Sequence, residues 1–172
     1  MTRPASTLML MLSMVAAATA CLVDPVHSSS VDALGGEEPG VPKGPRHRPG
    51  QPCLVCHGGS GPGAATFSVA GTIYRSYDVK TAVGGVRVSI TDATGEARAY
   101  VTNDAGNFYV DVATWQPAYP LTVSLLYGAV KTDMNTRIAR EGSCGSCHGD
   151  PQGPASAGHI FLVANDADFP PP

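Results

Sequence analysis

The sequence predicts an all-β protein: a small antiparallel β-sandwich, flanked by two Cys-x-x-Cys-His segments and preceded by a disordered N-terminal tether. Between residues 66 and 141, apolar and polar residues alternate in short runs that are separated by turn residues. The same five-residue motif stands on both sides of that region, at Cys53–His57 and Cys144–His148. Residues 21–50 are rich in Pro and Gly and contain no Phe, Trp or Tyr. These three observations define the expected architecture.

Residues 1–20 have the pattern of an export signal. Arg3 is their only charged residue, and the apolar run Leu8–Ala18 follows it. That run is shorter than the roughly 20 apolar residues that a membrane-spanning helix needs, so it fits a cleaved signal peptide. The Ala-Thr-Ala sequence before Cys21 resembles the lipobox of bacterial lipoproteins. The resemblance implies a lipid anchor on Cys21 and a location on the periplasmic side of a bacterial membrane or in the outer membrane. An ordinary signal cut before Cys21 is the alternative.

Residues 21–50 predict a disordered tether. They contain five Pro and five Gly residues after position 21, and three consecutive serines. Such a composition cannot bury enough apolar surface to offset the entropy lost on ordering. We therefore expect this segment to hold the folded part of the chain away from a membrane surface.

The two motif segments, residues 51–65 and 142–172, carry the chemistry. Each motif reads Cys-x-x-Cys-His, the attachment sequence of a c-type haem. Two thiols at this spacing lie on one turn and can add to the two vinyl groups of one porphyrin. The following histidine then presents its imidazole to the iron, and histidine is a common proximal ligand of haem. A structural zinc site and a pair of tight disulfides are the alternatives.

The motifs resemble those of dihaem c-type cytochromes. The resemblance implies two covalently bound haem c groups, redox-active iron and electron transfer outside the cytoplasm. The residues that it assigns are Cys53, Cys56, Cys144 and Cys147 for the thioether bonds, and His57 and His148 as proximal iron ligands.

Residues 66–141 predict the sandwich. Val86, Val88 and Ile90 alternate with polar residues, and turn sequences follow at residues 92–95 and 103–107. We expect one face of the first strand to carry Phe67, Val69 and Ile73. Six strands are predicted, near residues 67–74, 86–91, 97–102, 107–112, 119–127 and 130–138. The aromatic residues expected in the core are Phe67, Phe108, Trp115 and Tyr127.

An even number of antiparallel crossings returns the chain to the end of the sandwich from which it started. Six strands separate the two motifs, so we expect Cys56 and Cys144 at the same end. After the second motif, the apolar run at residues 160–163 is expected to add a strand or to pack on the second haem.

The segments 88–95 and 101–110 resemble the hairpin of the carboxypeptidase regulatory-like domain, a transthyretin-like β-sandwich. The resemblance extends over roughly residues 67–128 and implies a scaffold or binding module. Asn103 stands at the first acidic position of the family's hairpin motif, which is a small departure. The resemblance assigns no catalytic residue.

Few side chains are available as second axial ligands. After the signal, the candidates are His27, His47, His159 and Met134. His47 lies six residues before Cys53 and His159 eleven residues after His148, so we expect these two histidines to be the distal ligands. Bis-His ligation would keep the potential lower than His/Met ligation would.

The charge pattern bears on partners. The chain has 11 Lys and Arg against 14 Asp and Glu, a net charge of −3 at pH 7. The sequence contains no basic patch with interleaved aromatic residues, so nothing in it indicates binding to nucleic acid. An acidic surface favours a basic redox partner through steering, and the sequence does not identify that partner.

The sequence therefore predicts a membrane-tethered dihaem cytochrome c, an electron carrier and not an enzyme. Two alternatives remain open. One is a β-sandwich binding or structural lipoprotein whose cysteines hold zinc or form disulfides. The other is a haem sensor or enzyme with one open iron.

Overall fold

The computed structural model describes residues 24–37 and 39–170. The predicted signal peptide and Cys21 lie outside the described residues. The chain divides into two units, residues 1–35 and residues 36–172, which we describe separately. Within the described ranges, every helix falls short of the length and apolar character that crossing a bilayer requires.

The described part of the first unit contains one helix, α1, Pro25–Ala33. The Asp24 carboxylate caps it by accepting hydrogen bonds from the backbone N–H groups of Val26 and His27, at 2.9 and 3.1 Å. Pro25 suits the first helical position because its missing N–H would lack a partner there in any case. The expectation of a disordered tether over residues 21–50 therefore differs from the structure at α1. Composition alone overlooked the Asp-Pro capping signal.

The second unit is an all-β fold of two sheets. Its described strands are β1 Phe67–Ser76, β2 Arg87–Thr91, β3 Ala97–Val101, β4 Asn107–Asp111, β5 Thr122–Tyr127, β6 Val130–Asp133 and β7 Ile160–Val163. A three-stranded sheet has the order β4-β1-β7, and a four-stranded sheet has the order β3-β2-β5-β6. The predicted all-β class is confirmed, and the two-sheet arrangement agrees with a β-sandwich.

One apolar core is shared by the two sheets. Val69 and Ile73 of β1 and Val88 and Ile90 of β2 are at most 1% exposed. Residues on alternate positions of each strand point to the same face, which is why the period-two pattern of the sequence located this core. Two of the four aromatic residues expected in the core, Phe108 and Trp115, are buried; a third, Tyr127, packs half-buried against it.

The two predicted turns are fixed by their first residues. Asp92 Oδ1 accepts hydrogen bonds from the backbone N–H groups of Thr94 and Glu96, at 2.8 and 3.1 Å. Asn103 Oδ1 does the same for Ala105 and Asn107, at 2.9 and 3.1 Å. Such side-chain to backbone bonds favour a turn over continued strand.

Strand β1 contains an irregularity that the sequence pattern did not predict. Phe67 pairs with Asp111 and Val69 pairs with Val110, so the register shifts between Phe67 and Val69. A bulge of this kind redirects the side chains on one side of it. Phe67 consequently leaves the core face on which it was expected and lies half-buried, with its ring stacked 4.8 Å from that of Tyr109.

In strand β3 the side chain that faces the core is that of Tyr100, not that of the neighbouring apolar residue Val101. Val101 is 65% exposed, whereas Tyr100 packs against the core and Thr102, just beyond the strand, is buried. Thr102 Oγ1 donates to the Val83 carbonyl at 2.7 Å and accepts from the Val86 N–H at 3.0 Å. These two buried hydrogen bonds fix the register of β3.

In the C-terminal half, one strand is shorter than expected and another pairs in parallel, where an antiparallel sandwich was expected. β6 ends at Asp133, and only an isolated bridge between Leu121 and Ile138 remains of the longer strand predicted to residue 138. β7 is the strand expected as one option for residues 160–163, and it pairs parallel to β1. The fold is therefore mixed at this edge rather than wholly antiparallel.

The end of the predicted tether is ordered against the strands. Asn103 Nδ2 donates to the Pro45 carbonyl at 2.6 Å, and Asn107 Nδ2 donates to the His47 carbonyl at 3.0 Å. The Gly50 N–H donates to Thr72 Oγ1 at 2.7 Å. Backbone groups of Pro45, His47 and Gly50 thus have fixed partners, which corrects the expectation that the disordered tether extends to residue 50.

We predict that Val88→Ala lowers the free energy of unfolding by roughly 2 kcal/mol, because it removes two methyl groups from a fully buried site. Val101→Ala is the matched control, because it removes the same two methyl groups from a side chain that is 65% exposed. It should change the free energy of unfolding by no more than about 0.5 kcal/mol. Urea unfolding followed by circular dichroism measures both. Equal losses in the two variants would contradict the observed burial.

Candidate functional site

The first motif forms a single helical turn, α2, Cys53–His57, which follows Pro52. The His57 ring is held by its own loop: Nδ1 lies 2.8 Å from the Ala65 carbonyl oxygen. Gly63 packs directly on this ring, and a methyl group added at Gly63 would collide with Nδ1 of His57. The glycine-rich loop after the motif can therefore close over the imidazole only because Gly63 has no side chain.

The second motif forms a short 3₁₀ turn at Cys144–Ser146, and the His148 N–H then donates to the Cys144 carbonyl at 2.8 Å. The His148 ring is held as the His57 ring is, with Nδ1 2.9 Å from the Gly158 carbonyl oxygen. Each motif thus ends in an imidazole that a downstream backbone carbonyl orients.

These two contacts determine the tautomer of each histidine. A carbonyl oxygen only accepts hydrogen bonds, so Nδ1 of His57 and Nδ1 of His148 each carry the proton. In the neutral ring, Nε2 is then left with its lone pair. A metal-binding histidine has this arrangement, because a partner at one ring nitrogen fixes the other for the metal.

The two motifs lie against each other beside β1. A methyl group added at Gly145 would lie 2.6 Å from the Gln51 carbonyl oxygen and 2.8 Å from Pro52 N, so the second motif touches the start of the first. Ser143 bridges to Ala70 of β1, and Cys144 packs against Gly71. This contact confirms the prediction that the two motifs are neighbours, although they lie beside the middle of β1 rather than at an end of the sheets.

Burial distinguishes the first cysteine of each motif. Desolvation, with a smaller contribution from the neighbouring Cys56, raises the pKa of Cys53 to about 11. Desolvation, with smaller contributions from Cys53 and Cys147, raises the pKa of Cys144 to about 12. Both groups are therefore neutral thiols at pH 7. The contribution of Cys53 to the raised pKa of Cys144 is a second sign that the motifs are neighbours.

All four motif cysteines are free thiols in the structure. Across the described residues, no group of three or more His, Cys, Asp or Glu side chains is arranged to hold a metal ion.

His47, expected as a distal ligand, lies beside the first motif. Its ring centroid is 5.9 Å from that of His57, with the rings inclined by 64°. With metal–nitrogen bonds of about 2 Å, two imidazoles on opposite sides of one metal have centroids roughly 6 Å apart. The structure thus brings His47 to a separation from His57 that suits a shared metal.

His159, the other expected distal ligand, is engaged elsewhere. Its Nδ1 lies 2.9 Å from Asp150 Oδ1, and its Nε2 lies 3.0 Å from the Ser76 carbonyl oxygen. The ring is 8% exposed and packs among Tyr74, Tyr77 and Phe161. Both partners are acceptors, so neither nitrogen of His159 is free for iron. In this arrangement it joins the loop after the second motif to the end of β1.

The sequence analysis missed an aromatic stack next to the first motif. The His57 ring stacks on Phe67 with centroids 4.6 Å apart, and Phe67 stacks in turn on Tyr109. Tyr109 is 42% exposed, so the stack leads from the motif histidine to the surface. Only the bulge in β1 places Phe67 there, and the sequence contains no clear signal for that bulge.

Searches among protein families, curated proteins and solved structures return no match to this chain. Its function must therefore be inferred from its own residues.

We predict that acid weakens the contact between Asp150 and His159. Burial alone would raise the pKa of Asp150, but hydrogen bonds from Lys80 and His159, together with their charges, lower it to about 2. Because an unfolded Asp has a pKa of about 3.9, this stabilisation is present above pH 4 and is lost as the pH falls toward 2.

Asp150→Asn should therefore cost about 1–2 kcal/mol at pH 7, after allowance for the partial exposure of the carboxylate, and should flatten the loss of stability between pH 4 and pH 2. Asp133→Asn, which removes the exposed Lys131 pair, is the control and should leave the profile unchanged. Thermal unfolding across that pH range makes the comparison. A profile for Asp150→Asn that parallels the wild type would refute the role of this carboxylate.

Proposed function

We propose that this chain is a membrane-tethered dihaem cytochrome c that carries electrons outside the cytoplasm. The observation that carries the proposal is that the two motif histidines are oriented in the same way. In each Cys-x-x-Cys-His segment a backbone carbonyl holds Nδ1 and leaves Nε2 for a metal. A zinc knuckle or a disulfide built on the four cysteines gives no reason for both histidines to be oriented in this way.

The residues present fit two haem groups. Cys53 and Cys56 would hold the first group and Cys144 and Cys147 the second, with His57 and His148 as the proximal ligands. When bound, each group supplies a one-electron iron couple. His47, beside His57, is the candidate for the second axial position at the first motif.

The chain's own residues contribute orientation and proximity. The carbonyls of Ala65 and Gly158 fix the two imidazoles, and the contact of Gly145 with Gln51 keeps the two motifs next to each other. Haem groups held by these motifs would therefore be neighbours, as direct electron exchange between them requires. The two sheets then act as a scaffold, in keeping with the resemblance of residues 67–128 to the carboxypeptidase regulatory-like domain.

One observation favours a second candidate, a haem sensor or enzyme with an open iron. Both nitrogens of His159 are hydrogen-bonded, so the second centre lacks the distal ligand that was expected from the sequence. An iron without a second protein ligand binds small molecules such as carbon monoxide.

We predict two covalent haem groups per chain when the protein is exported in a host that has a haem-attachment system. Intact mass should show two haem additions, and the pyridine haemochrome spectrum should give the same stoichiometry. Replacing Cys53 and Cys56 by Ala should remove one group, and replacing Cys144 and Cys147 should remove the other.

Protein that carries zinc or disulfides and no haem would refute this function. With both haems in place, carbon monoxide binding to half of the reduced haem would favour the sensor or enzyme. Resistance of both haems to carbon monoxide would favour the electron carrier.

We also propose that a lipid on Cys21 anchors the protein. The support is the lipobox-like sequence before Cys21 and the cysteine count, since Cys21 is the one of five cysteines that lies outside the two motifs. Wild-type protein should partition into the detergent phase of Triton X-114, and Cys21→Ser should move it to the aqueous phase. Wild-type protein found in the aqueous phase would disprove the anchor.

A further inference from the structure

We propose that Glu37 positions His47 as the second axial ligand of the first haem, an inference that rests on the proposed function. Glu37 lies ten residues before His47 and was not singled out by any motif in the sequence. The structure places it directly beside the His47 ring.

The contact involves two largely buried side chains. Glu37 Oε1 is 3.4 Å from His47 Nδ1, and the side chains are 22% and 26% exposed. Arg48 holds the carboxylate in place, since its Nε donates to Glu37 Oε1 at 3.0 Å. The carboxylate is thus fixed between a guanidinium and an imidazole.

Two atoms in this cluster are buried without a hydrogen bond. His47 Nδ1 and Glu37 Oε2 have no aligned partner among the described residues. A buried polar atom without a partner is costly, so a small rotation of the carboxylate that lets Oε2 accept the Nδ1 proton would satisfy both atoms. The 3.4 Å contact joins Nδ1 to Oε1, the oxygen that Arg48 also contacts, and the unsatisfied Oε2 belongs to the same carboxylate.

That bond would determine which nitrogen of His47 faces a metal. With the proton on Nδ1 and directed at Glu37, Nε2 keeps its lone pair. A carboxylate in this position orients a metal-bound imidazole and raises its basicity. His57 and His148 have a neutral carbonyl instead, so His47 would be the only one of these three ligands with a charged partner.

The backbone already holds His47 near the first motif. Its carbonyl accepts a hydrogen bond from Asn107 Nδ2 at 3.0 Å, and its ring lies 5.9 Å from that of His57. Side-chain orientation is what remains to be set, and Glu37 is placed to set it.

The experiment compares Glu37→Ala with Glu37→Gln in full-length haem-loaded protein, with exogenous imidazole as the probe. Imidazole competes with His47 for the first iron, and His47→Ala identifies the spectral phase that belongs to that iron. In Glu37→Ala the apparent affinity for imidazole should rise roughly 10- to 100-fold, and a high-spin fraction should appear in the ferric spectrum. Glu37→Gln keeps an acceptor oxygen, so it should stay low-spin while its reduction potential becomes more positive.

Asp104→Ala is the matched control, because it removes another carboxylate that pairs with an arginine of the same segment, Arg46, at 2.6 Å. It should leave imidazole affinity and spin state unchanged. If Asp104→Ala has the same effect as Glu37→Ala, Glu37 only fastens the segment and the inference fails.

The outcome also separates this inference from the proposed function. Two attached haems with an imidazole affinity that Glu37→Ala does not change would overturn the role of Glu37 and leave the cytochrome intact. Wild-type protein without covalent haem would overturn both.

Discussion

The structure depends on strand β1, because both the core and the motif segments are built on it. Val69 and Ile73 face the core and are at most 1% exposed. Between them, Gly71 leaves room for Cys144, and a side chain at this position would lie 2.8 Å from the Cys144 sulfur. On the neighbouring positions, Thr72 accepts the Gly50 N–H. The core therefore fixes the strand, and the strand fixes both Cys-x-x-Cys-His segments.

Much of this fold follows from the sequence, and the exceptions have physical reasons. Val88 and Ile90 were found by alternation, because a half-buried strand imposes a period of two on its residues. Alternation failed at Phe67, where a bulge changes the register. This failure arises from the pairing of β1 with the distant strand β4, which a local pattern does not contain.

The candidate site, too, could be predicted only in part from the sequence. Cysteine spacing identified the motifs, and counting strands placed them together. The roles of the histidines were not accessible, since these depend on what each ring nitrogen touches. His57 and His148 meet carbonyls, His47 approaches a carboxylate, and His159 meets an acceptor at both nitrogens. Its Ser76 partner is 83 residues away along the chain, a separation at which spacing arguments give no information.

The contact between the two Cys-x-x-Cys-His segments limits how far they can move relative to each other. The backbone at Gly145 packs so closely against Gln51 that a side chain at position 145 would collide with it. Moving the second motif away from the first would therefore break a close-packed contact. Cys53 and Cys144 are the two cysteines that packing desolvates most strongly, which places the first thiol of each motif at or near this contact. Groups attached there would be held at a fixed separation by the backbone rather than by flexible side chains. If each motif holds a haem, as proposed, this fixed separation would let the same two groups exchange electrons repeatedly.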